Sequence, residues 1–111
     1  MIQSFDAFDV AVSHEPMAAE AALTDGVSTA IAELTQDVGL EVGIWEHSVG
    51  NSHASYGSEV FVILEGRGRI TDTNGGVIEL KPGVVGVLHE GDDTTWEITE
   101  KIRKVWIVRG S

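Results

Sequence analysis

Residues 50–66 decide the fold of this chain, and they read Gly50-Asn51-Ser52-His53-Ala54-Ser55-Tyr56-Gly57-Ser58-Glu59-Val60-Phe61-Val62-Ile63-Leu64-Glu65-Gly66. A polar stretch bounded by glycine leads into an apolar run rich in β-branched residues, which is typical of a strand entered from a loop. Successive strand side chains point to opposite faces, so Glu59, Phe61 and Ile63 share one face. If that face is the core, it carries a carboxylate.

The rest of the second half continues this pattern of short β-rich runs cut by glycine. Turns are predicted at Asn74-Gly75-Gly76 and Lys81-Pro82-Gly83, where glycine tolerates positive φ and proline presets φ. Seven short strands at close spacing indicate an all-β sandwich or barrel. They are predicted at Leu40–His47, Glu59–Glu65, Arg67–Asp72, Gly76–Leu80, Val84–His89, Thr95–Thr99 and Ile102–Val108.

Residues 1–39 are expected to pack on the barrel or to extend it, within one domain that spans residues 1–111. Phe5, Phe8 and Val10 are compatible with an entering strand. Met17–Leu23 is predicted to form a short helix after Pro16, and Val27–Leu34 is compatible with a strand or a helix.

Composition and charge exclude several classes of protein. The 111 residues include no Cys, so the chain has no disulfide, no thiolate zinc site and no cysteine nucleophile. The formal net charge is −11, and every Lys and Arg lies at or after Arg67. A surface this acidic repels phosphate backbones and anionic lipids, so we expect neither nucleic acid nor membrane as partner. Without a signal-peptide pattern or a long apolar run, a cytoplasmic location is expected.

Two motifs resemble those of the cupins. In the first, Glu59 and Gly66 keep the cupin spacing, and the usual pair of histidines reads His53 and Ser55. In the second, Gly83 and Gly91 flank His89, and Thr94 stands where a histidine is usual. The resemblance implies a single-domain cupin (RmlC-like) jelly-roll β-barrel with its core in residues 40–111.

Further residues are similar to one group of small single-domain cupins, related to the ethanolamine-utilisation cupin and to ureidoglycine aminohydrolase. Most members of this group have no assigned function. The residues that carry this similarity are Gly43-Ile44-Trp45-Glu46, Leu64-Glu65-Gly66, Thr71-Asp72, Asn74-Gly75-Gly76, Pro82-Gly83, Trp96-Glu97 and Arg103-Lys104.

The resemblance also implies where a metal would bind. Cupin sites combine three imidazoles and one carboxylate, which suit Mn, Fe, Ni or Zn. The matching positions here are His53, Ser55, Glu59 and Thr94, so weakly donating hydroxyls replace two ligands. We therefore expect no tightly held metal. If a divalent metal does bind, His53 and Glu59 are its candidate ligands, and it could use His47 or His89 instead.

A buried Glu59 must be hydrogen-bonded, paired with a cation or raised in pKa. It either pairs with Arg67, Arg69 or Lys104 or with hydroxyls across the barrel, or it acts as a ligand or proton-transfer group. His53 is the second candidate catalytic residue, with a surface position as the alternative. Alternation places Thr94, Trp96 and Ile98 on one face. The expected ligand pocket is lined by Glu59, Phe61, Thr94 and Trp96, with His53 and Tyr56 near its mouth.

Two functions follow from these residues. The first is a cupin that binds a small molecule without a tight metal, in the metabolism of amines, ureides or related metabolites. The second is a cupin enzyme, a lyase, isomerase or hydrolase, that uses Glu59 and His53 with a weakly held divalent metal. A homodimer is expected because small barrels leave edge strands that need covering.

Overall fold

The computed structural model describes residues 1–55 and 57–110. The predicted pocket residue Tyr56 lies outside the described residues. Within them, no helix is long and apolar enough to cross a bilayer. A 3₁₀ turn occurs at Asp37–Gly39. Eight strands make up the fold: β1 Glu15–Pro16, β2 Ser28–Thr35, β3 Leu40–His47, β4 Gly50–Ser55, β5 Glu59–Asp72, β6 Val77–Leu80, β7 Val85–Leu88 and β8 Asp93–Arg109.

The two longest strands, β5 and β8, organise the sheet. They pair antiparallel from Val60 opposite Ile107 to Asp72 opposite Thr94. Each strand changes its outer partner halfway along: β5 pairs first with β7 and then with β6, while β8 pairs first with β4 and then with β3. The single sheet therefore folds into two facing halves, with β1 and β2 extending the half that contains β3. This is the predicted all-β jelly roll.

Gly66 is the residue that lets β5 bend. Its φ is +100°, and a Cβ there would lie 2.2 Å from the Lys101 carbonyl oxygen of β8. Both features require glycine. The register between β5 and β8 shifts around this point. As a result Phe61 and Ile63 face the core before the bend, and Ile70 faces it afterwards.

The core lies between the two halves of the sheet. Two glycines face aromatic rings across neighbouring strands. A Cβ on Gly86 would lie 2.1 Å from the Phe61 ring, and one on Gly43 would lie 2.2 Å from the Trp106 ring. The bare backbone at both positions makes room for the rings. The main cluster contains Phe61, Ile63, Ile70, Leu80, Leu88, Trp96, Ile98 and Ile102.

Most strand predictions for residues 40–111 are confirmed, with two revisions. The segments on either side of Gly66 form one strand, as do those on either side of residues 100–101, because the chain bends there without leaving the sheet. β4 was not predicted. In the first 39 residues, Val27–Leu34 proves to be essentially the strand β2.

Two expectations for the N-terminal part are wrong. Met17–Leu23 is a turn rather than a helix, because its backbone groups bond to β4: His53 N–H donates to the Ala21 carbonyl, and Leu23 N–H donates to the Asn51 carbonyl. Residues 5–10 form no strand. The Ala7 and Val10 carbonyl groups are bound by an arginine side chain instead.

That arginine is Arg103, which anchors the N-terminal segment to the outer face of the sheet. Its Nε donates to the Ala7 carbonyl at 2.9 Å, and its Nη2 donates to the Val10 carbonyl at 2.6 Å. Its Nη1 donates to Glu46 Oε2 at 2.8 Å, and His14 Nε2 lies 2.8 Å from Glu46 Oε1. Glu46 and Arg103 are both buried. This cluster ties residues 7–14 to β3 and β8.

We expect Glu46 to make the fold sensitive to acid. Burial raises the pKa of Glu46, but hydrogen bonds from His14 and Arg103, with the charges of Lys101 and Arg103, lower it below the ordinary 4.5. The folded state therefore binds this proton less readily than the unfolded chain. The stabilisation is fully present above about pH 4.5 and is lost as the pH falls through the folded pKa.

Urea unfolding across pH measures this effect. At neutral pH the unfolding free energy of Glu46→Gln is expected to be about 3 kcal/mol lower than that of the wild type. In acid it is expected to fall less steeply than that of the wild type. The matched control is Glu79→Gln, since the Glu79–Arg69 pair has the same 2.8 Å separation but is exposed. It is expected to lose at most about 1 kcal/mol. If the unfolding free energy of Glu46→Gln falls as steeply in acid as that of the wild type, Glu46 is not the source of the acid sensitivity.

Candidate functional site

A buried ion pair joins the two central strands. Lys104 of β8 lies opposite Trp45 of β3 and opposite Ile63 of β5. Its Nζ donates to Glu59 Oε2 at 2.7 Å. The side chain of Lys104 is only 2% exposed, and that of Glu59 is 11% exposed. An ammonium and a carboxylate therefore meet inside the sheet.

Three aromatic rings surround the ammonium. Lys104 Nζ lies 4.5 Å from the Trp45 ring centroid, 4.8 Å from that of Trp96 and 4.9 Å from that of Phe61. Trp45 and Trp96 also meet edge to face at 5.3 Å. Ring faces attract a cation at these distances, and most strongly where water is excluded. The rings thus compensate part of the hydration that Lys104 loses.

The same burial changes the proton affinity of the amine. Burial lowers the pKa of Lys104 below the ordinary 10.5, and the charge and hydrogen bond of Glu59 oppose this shift. A desolvated lysine releases its proton more readily than a hydrated one. Burial thus favours the neutral amine of Lys104, whereas Glu59 favours the ammonium.

A cavity of about 250 Å³ opens onto this pair. Glu59, Lys104, Trp45 and Trp106 line it, together with Ile31 and Val108. A wider cleft of about 740 Å³ borders Glu59 as well, so the carboxylate adjoins both spaces. Trp106 Nε1 is buried and has no hydrogen-bond partner within residues 1–55 and 57–110. The cavity wall thus includes both members of the ion pair.

Of the other predicted pocket residues on β5 and β8, Phe61 and Trp96 are buried next to Lys104, and Thr94 is buried next to Trp96. Phe61 and Trp96 are fully buried, and their rings contact the ammonium. Thr94 accepts a hydrogen bond from Trp96 Nε1 at 3.1 Å and donates one to the Ala54 carbonyl at 2.8 Å. Thr94 therefore holds the Trp96 ring in place.

His53 and Ser55 lie on the opposite face of β4 from these residues. Ser52 faces Trp96 and is buried, so alternation turns His53 and Ser55 outwards. His53 Nε2 lies 2.7 Å from Asp93 Oδ1, and its side chain is 44% exposed. Ser55 Oγ donates to the same carboxylate oxygen at 3.4 Å. The structure brings Glu59 to Lys104 and His53 to Asp93.

The two other histidines considered as ligands differ in burial. His47 is fully buried, with Nδ1 at 2.6 Å from the Ser48 carbonyl and Nε2 at 2.8 Å from Ser52 Oγ. The carbonyl only accepts, so Nδ1 carries the proton and the Ser52 hydroxyl donates to Nε2. Burial lowers the pKa of His47. His89 is exposed and lies 3.7 Å from Asp92.

These positions do not fit a cupin metal. Among the residues that the structure describes, no three His, Asp or Glu side chains are grouped to hold an ion. The implied ligands His53 and Ser55 face away from Glu59, and Thr94 is engaged by Trp96 and Ala54. The Glu59 carboxylate holds the Lys104 ammonium, whose charge would repel a metal ion.

The family called EutQ-like cupin domain matches residues 34–106. The chain belongs to the EutQ-like cupin family. The cupin resemblance of the two sequence motifs is thereby confirmed. A search of curated proteins finds no match.

Solved structures show the same fold for this EutQ-like cupin. EutQ from Clostridium difficile matches with a TM-score of 0.76 at 14% identity, covering 96% of this chain and 86% of its own. A protein of unknown function from Pseudomonas syringae pv. tomato matches with a TM-score of 0.78 at 18% identity, covering 92% of this chain and 45% of its own. Ectoine synthase from P. lautus matches with a TM-score of 0.64 at 19% identity, covering 81% of this chain and 68% of its own. At these identities the comparison supports the fold alone.

Proposed function

We propose that this cupin binds a small polar molecule in the cavity at Glu59 and Lys104, without a tightly bound metal. The observation that carries the proposal is the buried Lys104–Glu59 pair, with its 2.7 Å contact, in the wall of a cavity. Apolar pockets with a few converging polar groups are the usual form of small-molecule sites.

The charges of the cavity favour a neutral ligand with both a donor and an acceptor. The pair is neutral as a whole, so a charged ligand would leave an uncompensated charge in a buried site. An amide or ureide matches it, because its carbonyl can accept from Lys104 while its N–H donates to Glu59. This chemistry supports a role in ureide metabolism.

The metal-free part of the proposal rests on the donor set. Glu59 is engaged by an ammonium, and the other positions implied by the cupin motif either face outwards or are hydrogen-bonded. For the same reason, an enzyme that combines Glu59 and His53 on a divalent metal receives less support.

A thermal-shift screen with neutral ureides and amides, such as methylurea, ureidoacetamide and acetamide, tests the binding. At about one hundred times Kd, a ligand is expected to stabilise the wild type by about 2.7 kcal/mol. The stabilisation is expected to disappear in Glu59→Met/Lys104→Met, which removes both charges together. Glu79→Gln, at an exposed ion pair, should keep the response.

Two outcomes would count against this function. The cavity is not the site if the double variant responds to every ligand as the wild type does. The metal-free part is overturned if elemental analysis of untagged protein finds about one equivalent of Mn, Fe, Ni or Zn that is lost in Glu59→Gln.

The homodimer stays a proposal, and one apolar face supports it. Val60 of β5 lies opposite Val87 of β7, and Val62 lies opposite Val85. Val60, Val85 and Val87 are 39%, 61% and 52% exposed. Burial of this face against a second copy would remove apolar surface from water.

A further inference from the structure

We propose that Lys104 is an amine nucleophile that forms a reversible imine with a small aldehyde or ketone in the cavity. The proposal deepens the proposed function, since it rests on the same site and names a carbonyl compound as its substrate class. It replaces a passive binding role for Lys104 with covalent chemistry.

The position of the amine is the first support. Lys104 lines the cavity together with Glu59, the partner of its Nζ. The same atom is surrounded by Trp45, Trp96 and Phe61 at 4.5 to 4.9 Å. Lysines activated for imine formation are desolvated by apolar surroundings, which favour the neutral amine. The lowered pKa of Lys104 agrees with this geometry.

Glu59 supplies the proton transfers that imine formation needs. Its carboxylate takes a proton from the Nζ ammonium at 2.7 Å, and the freed lone pair attacks the carbonyl carbon. The new C–N bond forms as the carbonyl π electrons move to oxygen, which Glu59 then protonates. Glu59 takes a second proton from nitrogen and returns it to the hydroxyl. The C–O bond breaks and water leaves.

The step balances without an oxidant or a reductant. The ammonium of Lys104 and one carbonyl compound become one protonated imine and one water, and Glu59 ends as the carboxylate that it was. The product keeps its positive charge beside Glu59 and the three rings, where the protein already stabilises a cation.

The other lysines of the chain serve as controls for the reactivity of Lys104. It has three lysines, and the other two, Lys81 and Lys101, are exposed. Lys101 Nζ lies 3.5 Å from Glu46 on the outer face, away from the cavity. Any preference of a carbonyl compound for Lys104 over these two must therefore come from its surroundings.

Reductive trapping of the wild-type protein tests the proposal. The folded protein is incubated at neutral pH with propanal and cyanoborohydride, and peptide mapping then gives the rate of alkylation at each lysine. We expect Lys104 to be alkylated roughly tenfold faster than Lys81 and Lys101. In urea the three rates are expected to become similar. In Glu59→Gln the rate at Lys104 should fall while the other two rates stay unchanged.

The proposal is overturned if Lys104 of the folded wild type reacts no faster than Lys81 and Lys101. It is also overturned if the preference for Lys104 persists in urea, since it would then not depend on the folded site. Thermal shifts with methylurea on the same preparation separate the two proposals. Stabilisation without Lys104 alkylation leaves the binding function and refutes the imine, whereas alkylation without stabilisation refutes the ureide class and supports the imine.

Discussion

Substituting only one member of the Lys104–Glu59 pair is expected to destabilise the fold by about 3–5 kcal/mol, because its partner remains as an unpaired buried charge. Lys104→Met leaves the Glu59 carboxylate, and Glu59→Met leaves an ammonium that is 2% exposed. In Glu59→Met/Lys104→Met both charges disappear and apolar side chains of similar length fill the space. The double variant is expected to equal the wild type or to exceed it by about 1–4 kcal/mol.

Urea unfolding of the four proteins gives the coupling energy between the two side chains. Arg69 and Glu79 provide the matched cycle, because this pair meets at a similar distance, 2.8 Å, but both side chains are more than half exposed. Its coupling is expected to stay below about 1 kcal/mol. If the double variant at the buried pair loses as much as the two single variants together, the charges do not compensate one another.

The expected stability of the double variant bears on function. An ion pair that apolar residues can replace without loss is not needed for folding. Its presence in the wall of a cavity then indicates a selective advantage in binding or chemistry. The alternative, that the pair fixes the register of β5 on β8, predicts that the double variant loses its cooperative transition.

The fold was predictable from sequence wherever side-chain alternation and turn chemistry agree. Leu40–His47 was predicted at its observed bounds, because alternating β-branched and aromatic residues end at recognisable turns. β4 was missed because Asn51, Ser52, His53 and Ser55 show no apolar alternation. Gly50–Ser55 is a strand through its backbone pairing with β8, and only Ser52 in it is buried.

The site was predictable in part. Alternation with Phe61 and Ile63 placed Glu59 on the core-facing side, and Lys104 was one of three cations considered as its partner. The nucleophilic role of Lys104 was missed because the predicted break between Thr99 and Ile102 separated it from Trp96. In the observed strand β8, the even-numbered residues Trp96, Ile98, Ile102 and Lys104 are all buried. One uninterrupted strand would have placed the lysine among the rings.

Loss of the Trp96 ring is the second change with a large expected effect. Trp96 is fully buried, touches Trp45 and Phe61, and forms one side of the cage around Lys104. Trp96→Ala is expected to cost about 3–5 kcal/mol in unfolding free energy, through lost apolar burial and the cavity left behind. Trp96→Ala also exposes the ammonium to water. The rate at which propanal alkylates Lys104 should therefore fall towards the rates at Lys81 and Lys101.

Trp96→Phe separates packing from hydrogen bonding. It keeps an aromatic ring near Lys104 but removes the bond from Nε1 to Thr94 Oγ1. The expected loss is about 1 kcal/mol for that bond, with a smaller further loss from the reduced ring area. The alkylation preference for Lys104 should largely survive. If Trp96→Phe abolishes the preference as completely as Trp96→Ala, the desolvating ring surface is not what activates Lys104, since a phenyl ring would still cover it.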